Sequence, residues 1–248
     1  DADKQQSVSF SFIRSTNLST VPLIQRNQEN SSRLDTILEV QDMFNTGRIT
    51  YRFKDTRTIN PYDFSVVAEA AKSTGKLWFE GNYKFSYHNI RKGFFIRLFT
   101  GTFLYNNSSG KSDRRFRTSG WQGREDYLYN EIYLARNEDP LEPGVLGHQL
   151  SIHDGGLISY NYLYAEEWIF ALNLSTSIPS PAPFRLFANI ATSREIIADY
   201  DDDYVFEAGL ELRLIPEIFS IYFPFYLSPA FEEHNKNIRN QYADNIRF

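Results

Sequence analysis

The sequence contains no cysteine, which excludes a disulfide framework and any zinc or iron–sulfur site built on thiolates. No apolar run approaches the roughly 18 residues that a membrane-crossing helix needs, and no stretch sustains a helical periodicity. Catalytic signatures are missing too. There is no His-Glu-x-x-His pair, no glycine-rich phosphate loop and no Gly-x-Ser-x-Gly elbow, so no catalytic residue and no bound cofactor is expected. Methionine occurs once, and neither an initiator Met nor a signal peptide is present; Asp1-Ala2-Asp3-Lys4 reads as a processed end or a fragment boundary. The net charge of −5 shows no basic excess, which argues against nucleic acid as a partner.

What the sequence does have is aromatic residues, 16% of the chain, with 21 Phe and 16 Tyr. Hydrophobic residues at 42% and charged residues at 23% are ordinary for a folded protein. The apolar residues recur with period two. Across residues 76–88, Leu77, Phe79, Gly81, Tyr83, Phe85 and Tyr87 alternate with Lys76, Trp78, Glu80, Asn82, Lys84, Ser86 and His88. Successive side chains of a strand point to opposite faces, so this segment has one apolar and one mostly charged surface. Residues 7–14, 48–54 and 204–215 repeat the pattern. Further strand candidates are 34–43, 64–71, 93–105, 126–135, 148–152, 157–163, 167–177, 184–193, 218–227 and 242–248. The expectation is an all-β protein with roughly 12–14 antiparallel strands, and residues 1–248 read as one domain or part of a larger barrel.

Short turns are expected at 45–47, 73–75 and 89–92, where Gly or Asn suits tight geometry. Long polar connections are expected at 15–33, 106–125, 136–147, 194–203 and 228–241. Alternation by itself does not say which face meets water. In a soluble sandwich the charged face points out; in a membrane barrel it lines the lumen and the Phe/Leu face meets lipid. Runs 76–88, 93–105 and 204–215 are longer than the five or six residues usual in globular strands and suit tilted membrane strands of about nine to eleven. Aromatics collect near strand ends, and the chain ends on Phe248 with Ile246 and Tyr242 before it, as an interfacial girdle and a terminal barrel strand require. The reading is an up-and-down transmembrane β-barrel in the outer membrane of a Gram-negative bacterium, with lipid and lipopolysaccharide around it. Lumen-side Trp78, Phe95 and Phe99 would signal a filled interior. An outer-membrane channel and a soluble β-domain that binds a small ligand or glycan are the alternatives.

The order of several segments carries a family resemblance. Asn60-Pro-Tyr-Asp-Phe64 precedes the run 76–88, and Gly93-Phe-Phe-Ile-Arg-Leu-Phe-Thr-Gly-Thr-Phe-Leu-Tyr105 follows it. Later come Gly147-His-Gln-Leu, His153-Asp-Gly-Gly156, Trp168-Ile-Phe-Ala-Leu-Asn-Leu174, Pro183-Phe-Arg-Leu-Phe-Ala188 and Ile215-Pro-Glu-Ile-Phe-Ser-Ile-Tyr-Phe-Pro224. Over residues 45–248 this order resembles the C-terminal outer-membrane barrel region of Bacteroidetes M1-like (gluzincin) metallopeptidase proteins. The resemblance implies a barrel that follows a peptidase domain and holds it, or a partner subunit, at the membrane. It implies no peptidase activity here, because the zinc motif is absent.

Three clusters are candidates for binding. His148, His153 and Asp154 lie close in sequence, but an extended chain sets the two imidazoles on opposite faces, which favours a polar turn over a metal site. Asp199, Asp201, Asp202 and Asp203 offer hard oxygen ligands for Ca²⁺ without the Gly and terminal Glu of an EF-hand loop. Arg114, Arg115, Arg117 and Arg124, with Lys111, Phe116 and Trp121, form the one basic–aromatic stretch. Guanidinium groups pair bidentately with phosphate, so the arginines are candidates for contact with lipopolysaccharide or a protein partner.

Overall fold

The computed structural model describes residues 3–24, 34–107, 114–123, 125–134, 136, 145–161, 163–199, 203–215, 218–236 and 242–248. In chain order the elements are β1 (Lys4–Ile24), β2 (Leu34–Asp55), β3 (Tyr62–Ala71), β4 (Thr74–Ser86), β5 (Gly93–Asn106), β6 (Phe116–Arg117), β7 (Tyr164–Ala165), β8 (Trp168–Ser177), β9 (Phe184–Ser193), α1 (Arg194–Asp199), β10 (Val205–Ile215), β11 (Phe219–Leu227) and α2 (Pro229–Lys236). Nine strands form one sheet in the order β1-β2-β3-β4-β5-β8-β9-β10-β11. Every neighbouring pair is antiparallel. The protein is therefore all-β with an up-and-down meander. The meander is interrupted between β5 and β8 by a segment whose described residues form the two-residue strand pair β6 and β7. Among the described residues β1 and β11 do not pair with each other, so the sheet has two edges.

The connections sort by length. At one end of the sheet the described ones are residues 56–61, 87–92 and 178–183, none longer than six. Among the described residues the other end carries the interrupting segment, α1 and α2, together with the short 72–73 turn.

The two faces of the sheet differ. On β3 the outward positions are Tyr62, Phe64, Val66, Ala68 and Ala70, and on β4 they are Leu77, Phe79, Gly81, Tyr83 and Phe85. On β8 and β9 the set is Trp168, Phe170, Leu172, Leu174, Phe184, Leu186, Ala188 and Ile190. Leu210 and Leu212 continue it on β10. Rings abut across strands on this face, with Phe53 stacked 5.3 Å from Phe64 and Phe64 6.1 Å from Phe79. No element among the described residues covers it, and Phe10 and Phe12 of β1 are three-quarters exposed. The other face carries Arg48, Glu69, Lys76, Glu80, Arg97, Arg185, Glu207 and Glu211, and there the described residues of the 114–165 segment pack against it.

The hydrophobic core lies between the charged face and this packed segment. Phe99, Ile169, Ala171, Ala191 and Val205 come from the sheet; Phe116, Leu157, Leu163 and Ala165 come from the segment; Ile196 and Phe231 come from α1 and α2. Phe116 is its centre, edge-on to Trp78, Phe99 and Phe103 at 6.4, 5.9 and 5.3 Å. Edge-to-face geometry adds stabilisation beyond the buried area, about 0.5–1.5 kcal/mol per pair.

Several expectations are corrected. Residues 45–47 are not a turn: Thr46 sits mid-strand, paired with Ile13 on one side and Ala71 on the other, so 34–43 and 48–54 are one strand. Likewise 15–24 continues β1 instead of forming a loop. A turn-prone triplet loses to a ladder on both sides, which local sequence does not reveal. Residues 126–135, 148–152 and 157–163 alternate yet form no strand of the main sheet among the described residues. At 148–152 the amides of Leu150 and Ser151 donate to the carbonyls of Phe248 and Trp121, and in the other two, carboxylates and amides take backbone donors. Asp126 accepts from the amides of Asn130 and Glu131, Asn161 from that of Leu163, and Glu207 from those of Ile158 and Ser159. Residues 242–248 hold a 3-10 turn (Tyr242–Asn245) and one bridge, Arg247 to Tyr222, on the free edge of β11. Among the described residues the sheet accordingly has nine strands against the 12–14 expected.

The close approach of Phe116 to the wall needs a missing side chain. A Cβ on Gly101 would lie 2.6 Å from the Phe116 ring. Gly101→Val is expected to lower stability by about 1–3 kcal/mol, read from the denaturant midpoint, and to expose residues 114–165 to limited proteolysis. An unchanged midpoint and cleavage pattern would contradict this packing.

Candidate functional site: the charged face and the segment it holds

Strand alternation places charged side chains on the inner face in four clusters, and the interrupting segment supplies partners in three of them. In the first, Glu69 accepts from Arg48 Nη2 at 2.7 Å and from the Tyr127 hydroxyl at 2.6 Å. Lys76 Nζ donates to Tyr127 Oη at 2.8 Å and to the carbonyl of Arg114 at 2.9 Å. The ammonium also lies within 6 Å of the Trp78, Phe103, Phe116 and Tyr127 ring centroids. This cluster ties strands β2, β3 and β4 to the start of the segment. Burial, and next the Glu69 carboxylate, push the Tyr127 phenol well above its ordinary value. Burial also raises Tyr133, farther along the segment.

In the second cluster Arg97 holds Glu80 through Nε at 2.7 Å, while its Nη1 donates to Asn173 Oδ1 and to the Asp154 carbonyl, both at 2.8 Å. Asn173 Nδ2 returns a bond to Gly155 O at 3.0 Å. The turn is shaped for this contact. Asp154 and Gly156 have φ of 44° and 65°, and a Cβ at Gly156 would meet Arg97 Nη1 at 2.9 Å.

The third cluster is centred on Glu207, fully buried, whose carboxylate accepts from Ile158 N at 2.5 Å, Ser159 N at 2.9 Å and Asn189 Nδ2 at 2.7 Å. In the fourth, Glu211 accepts from Arg213 Nε at 2.8 Å and Ser220 Oγ at 2.9 Å, with Arg185 Nε 3.6 Å away. Beside it a cavity of about 600 Å³ remains between sheet and segment.

The residues singled out from sequence are scattered. Trp78, Phe95 and Phe99 all lie on the inner face. Arg114 and Arg117 are buried, 5% and 6% exposed, with Arg117 bonded to Tyr164 and paired with Glu125; burial removes these two from any outer patch for lipopolysaccharide. Arg115 pairs with Glu166 at 3.0 Å, and Arg124 lies outside the described residues. His148 Nδ1 meets Ile246 O at 2.8 Å, whereas His153 stacks on Trp121 at 4.5 Å, so the two imidazoles serve different contacts. Asp201, Asp202 and the Asp199 side chain lie outside the described residues, and Asp203 is exposed. Among the described residues no three metal-ligating side chains converge.

Sequence reasoning missed Glu69, Arg97, Asn173, Asn189 and Glu207 as site residues. Their only signal was a charge or amide on the polar face of a strand, without a visible partner.

Compared with known proteins, the chain matches no family model, no curated protein and no solved structure.

Two outcomes follow from these contacts. Glu69→Ala leaves Arg48 and Lys76 buried without their carboxylate and is expected to cost about 3–5 kcal/mol, measured by denaturant unfolding; a cost under about 1 kcal/mol would contradict the cluster. The raised phenols set an alkaline limit. Unfolded tyrosine ionises near pH 10, so the contribution of Tyr127 and Tyr133 is complete below that pH. It is lost as pH rises through their higher folded values. Absorbance at 295 nm during an alkaline titration should show phenols that ionise only together with unfolding; complete ionisation near pH 10 in the folded protein would refute this.

Proposed function

We propose that this sheet is wall of an outer-membrane β-barrel in a Gram-negative bacterium, and that it anchors or scaffolds a periplasmic or surface domain or a partner subunit. The observation that carries the reading is the inversion of the faces. Among the described residues the charged face is the covered one, and the aromatic and aliphatic face is bare. Monomeric soluble proteins rarely leave contiguous apolar surface beyond a few hundred Å², whereas a barrel in lipid presents such a band. Further support comes from strands of nine residues or more in the main sheet and from short connections gathered at one end. Among the described residues no helix is long and apolar enough to cross a membrane. Closure would require the edges of β1 and β11 to meet, directly or through further strands. The segment packed on the inner face supports an anchor over an open pore. By its resemblance to the gluzincin barrel region, the cargo would be peptidase-like.

A second reading, a channel, draws on the polar cavity left beside that segment. The test is to wash membranes of expressing cells with carbonate and run the retained protein unboiled and boiled on a denaturing gel. Retention with a heat-modifiable band is expected, and so is silence in planar-bilayer conductance. Release into the wash would overturn the membrane reading in favour of a soluble ligand-binding β-domain, and steady conductance would favour the channel.

A further inference from the structure

The cavity beside the fourth cluster lies toward the short-turn end of the sheet, with Thr56, Arg57 and Thr58 on its exposed rim. Five cationic and three anionic side chains line it. The positive charge concentrates around one ring. Lys84 Nζ, Arg185 Cζ and Arg213 Cζ lie 5.5, 3.8 and 5.7 Å from the Phe95 centroid. A single carboxylate, Glu211, serves both guanidiniums. Lys84 donates to the neutral carbonyl of Ile90 at 2.7 Å and pairs with no carboxylate among the described residues.

Arg97 adds an independent observation. It lines the cavity, its side chain is nine-tenths buried, and its Nη2 is buried with no hydrogen-bond partner among the described residues. Buried cations in excess of their carboxylates are costly unless a counter-charge is supplied, and an orphaned guanidinium N–H loses a charge-assisted bond. A volume of about 600 Å³ falls within the range of small-molecule sites. Guanidinium groups match the planar oxygens of phosphate and carboxylate.

We propose that this cavity binds a small molecule carrying a phosphate or carboxylate group, held by Arg97, Lys84 and Arg213 with Phe95 as an apolar wall. Gly156 is part of the design, since a side chain there would displace Arg97 from its seat. The proposal stands whether or not the bare face meets lipid.

Isothermal titration of the full chain with inorganic phosphate, against chloride at matched ionic strength, tests it. Saturable binding is expected, weakened about ten-fold or more by Arg213→Met and by Lys84→Gln, each removing a charged partner. Arg115→Met, in the ion pair with Glu166, should leave it unchanged. Circular dichroism identifies the variants that keep the fold, and Lys84→Gln, at a half-buried site bonded only to a loop carbonyl, keeps the test open if Arg213→Met does not fold. Absence of saturable binding to the unaltered protein, or equal affinity in the folded cavity variants, would overturn the proposal.

Discussion

On β3, β4, β5, β9 and β10 the charged side chains all point to one side, and the protein covers that side with its own chain. The contacts of Glu69, Arg97 and Glu207 with residues 114–165 are what make this arrangement tolerable. Burying a charge is costly unless it is paired and hydrogen-bonded, and each of these groups finds at least two partners. Everything else follows from that satisfaction. The segment has somewhere to dock, the core forms beneath Phe116, and the apolar face is left for the surroundings.

The same bonds explain why the segment needs little regular structure of its own. Buried backbone amides must be paired, and here the donors of Ile158, Ser159, Leu163, Asn130 and Glu131 find side-chain oxygens in place of a ladder. Glu207 does this from the wall, so wall and segment fold as one unit. The C-terminal residues add a further tie: Arg247 is fully buried, bridges to Tyr222 of β11, and Phe248 exchanges backbone bonds with His148 and Leu150.

Much of the sheet was legible because period-two alternation is strong wherever a strand separates apolar from charged neighbours. The strands at 93–106, 168–177, 184–193 and 205–215 match their sequence-based bounds to within a residue or so. Several failures share one cause: the deciding partner is far away in sequence. Asn45-Thr46-Gly47 looks like a turn until Ile13 and Ala71 pair on either side of Thr46. Residues 157–163 look like a strand until Glu207, about 49 residues on, claims their amides. The site was hidden for the same reason. Strand alternation set Glu207 and Arg213 on the polar side, but not that one would be buried under backbone donors while the other faces a cavity.

The absence of cysteine makes the central claim, that the bare face meets lipid, directly measurable. A spin label is placed at Leu98→Cys or Leu172→Cys on the apolar face, and at Ser175→Cys on the charged face, in protein reconstituted into bilayers. The account predicts that collisions with oxygen, which concentrates in the hydrocarbon, broaden the signals at residues 98 and 172, while a water-soluble nickel chelate leaves them untouched. The label at 175 should show neither lipid-like oxygen access nor depth dependence. Nickel-accessible labels at 98 and 172 would place that face in water and contradict the account.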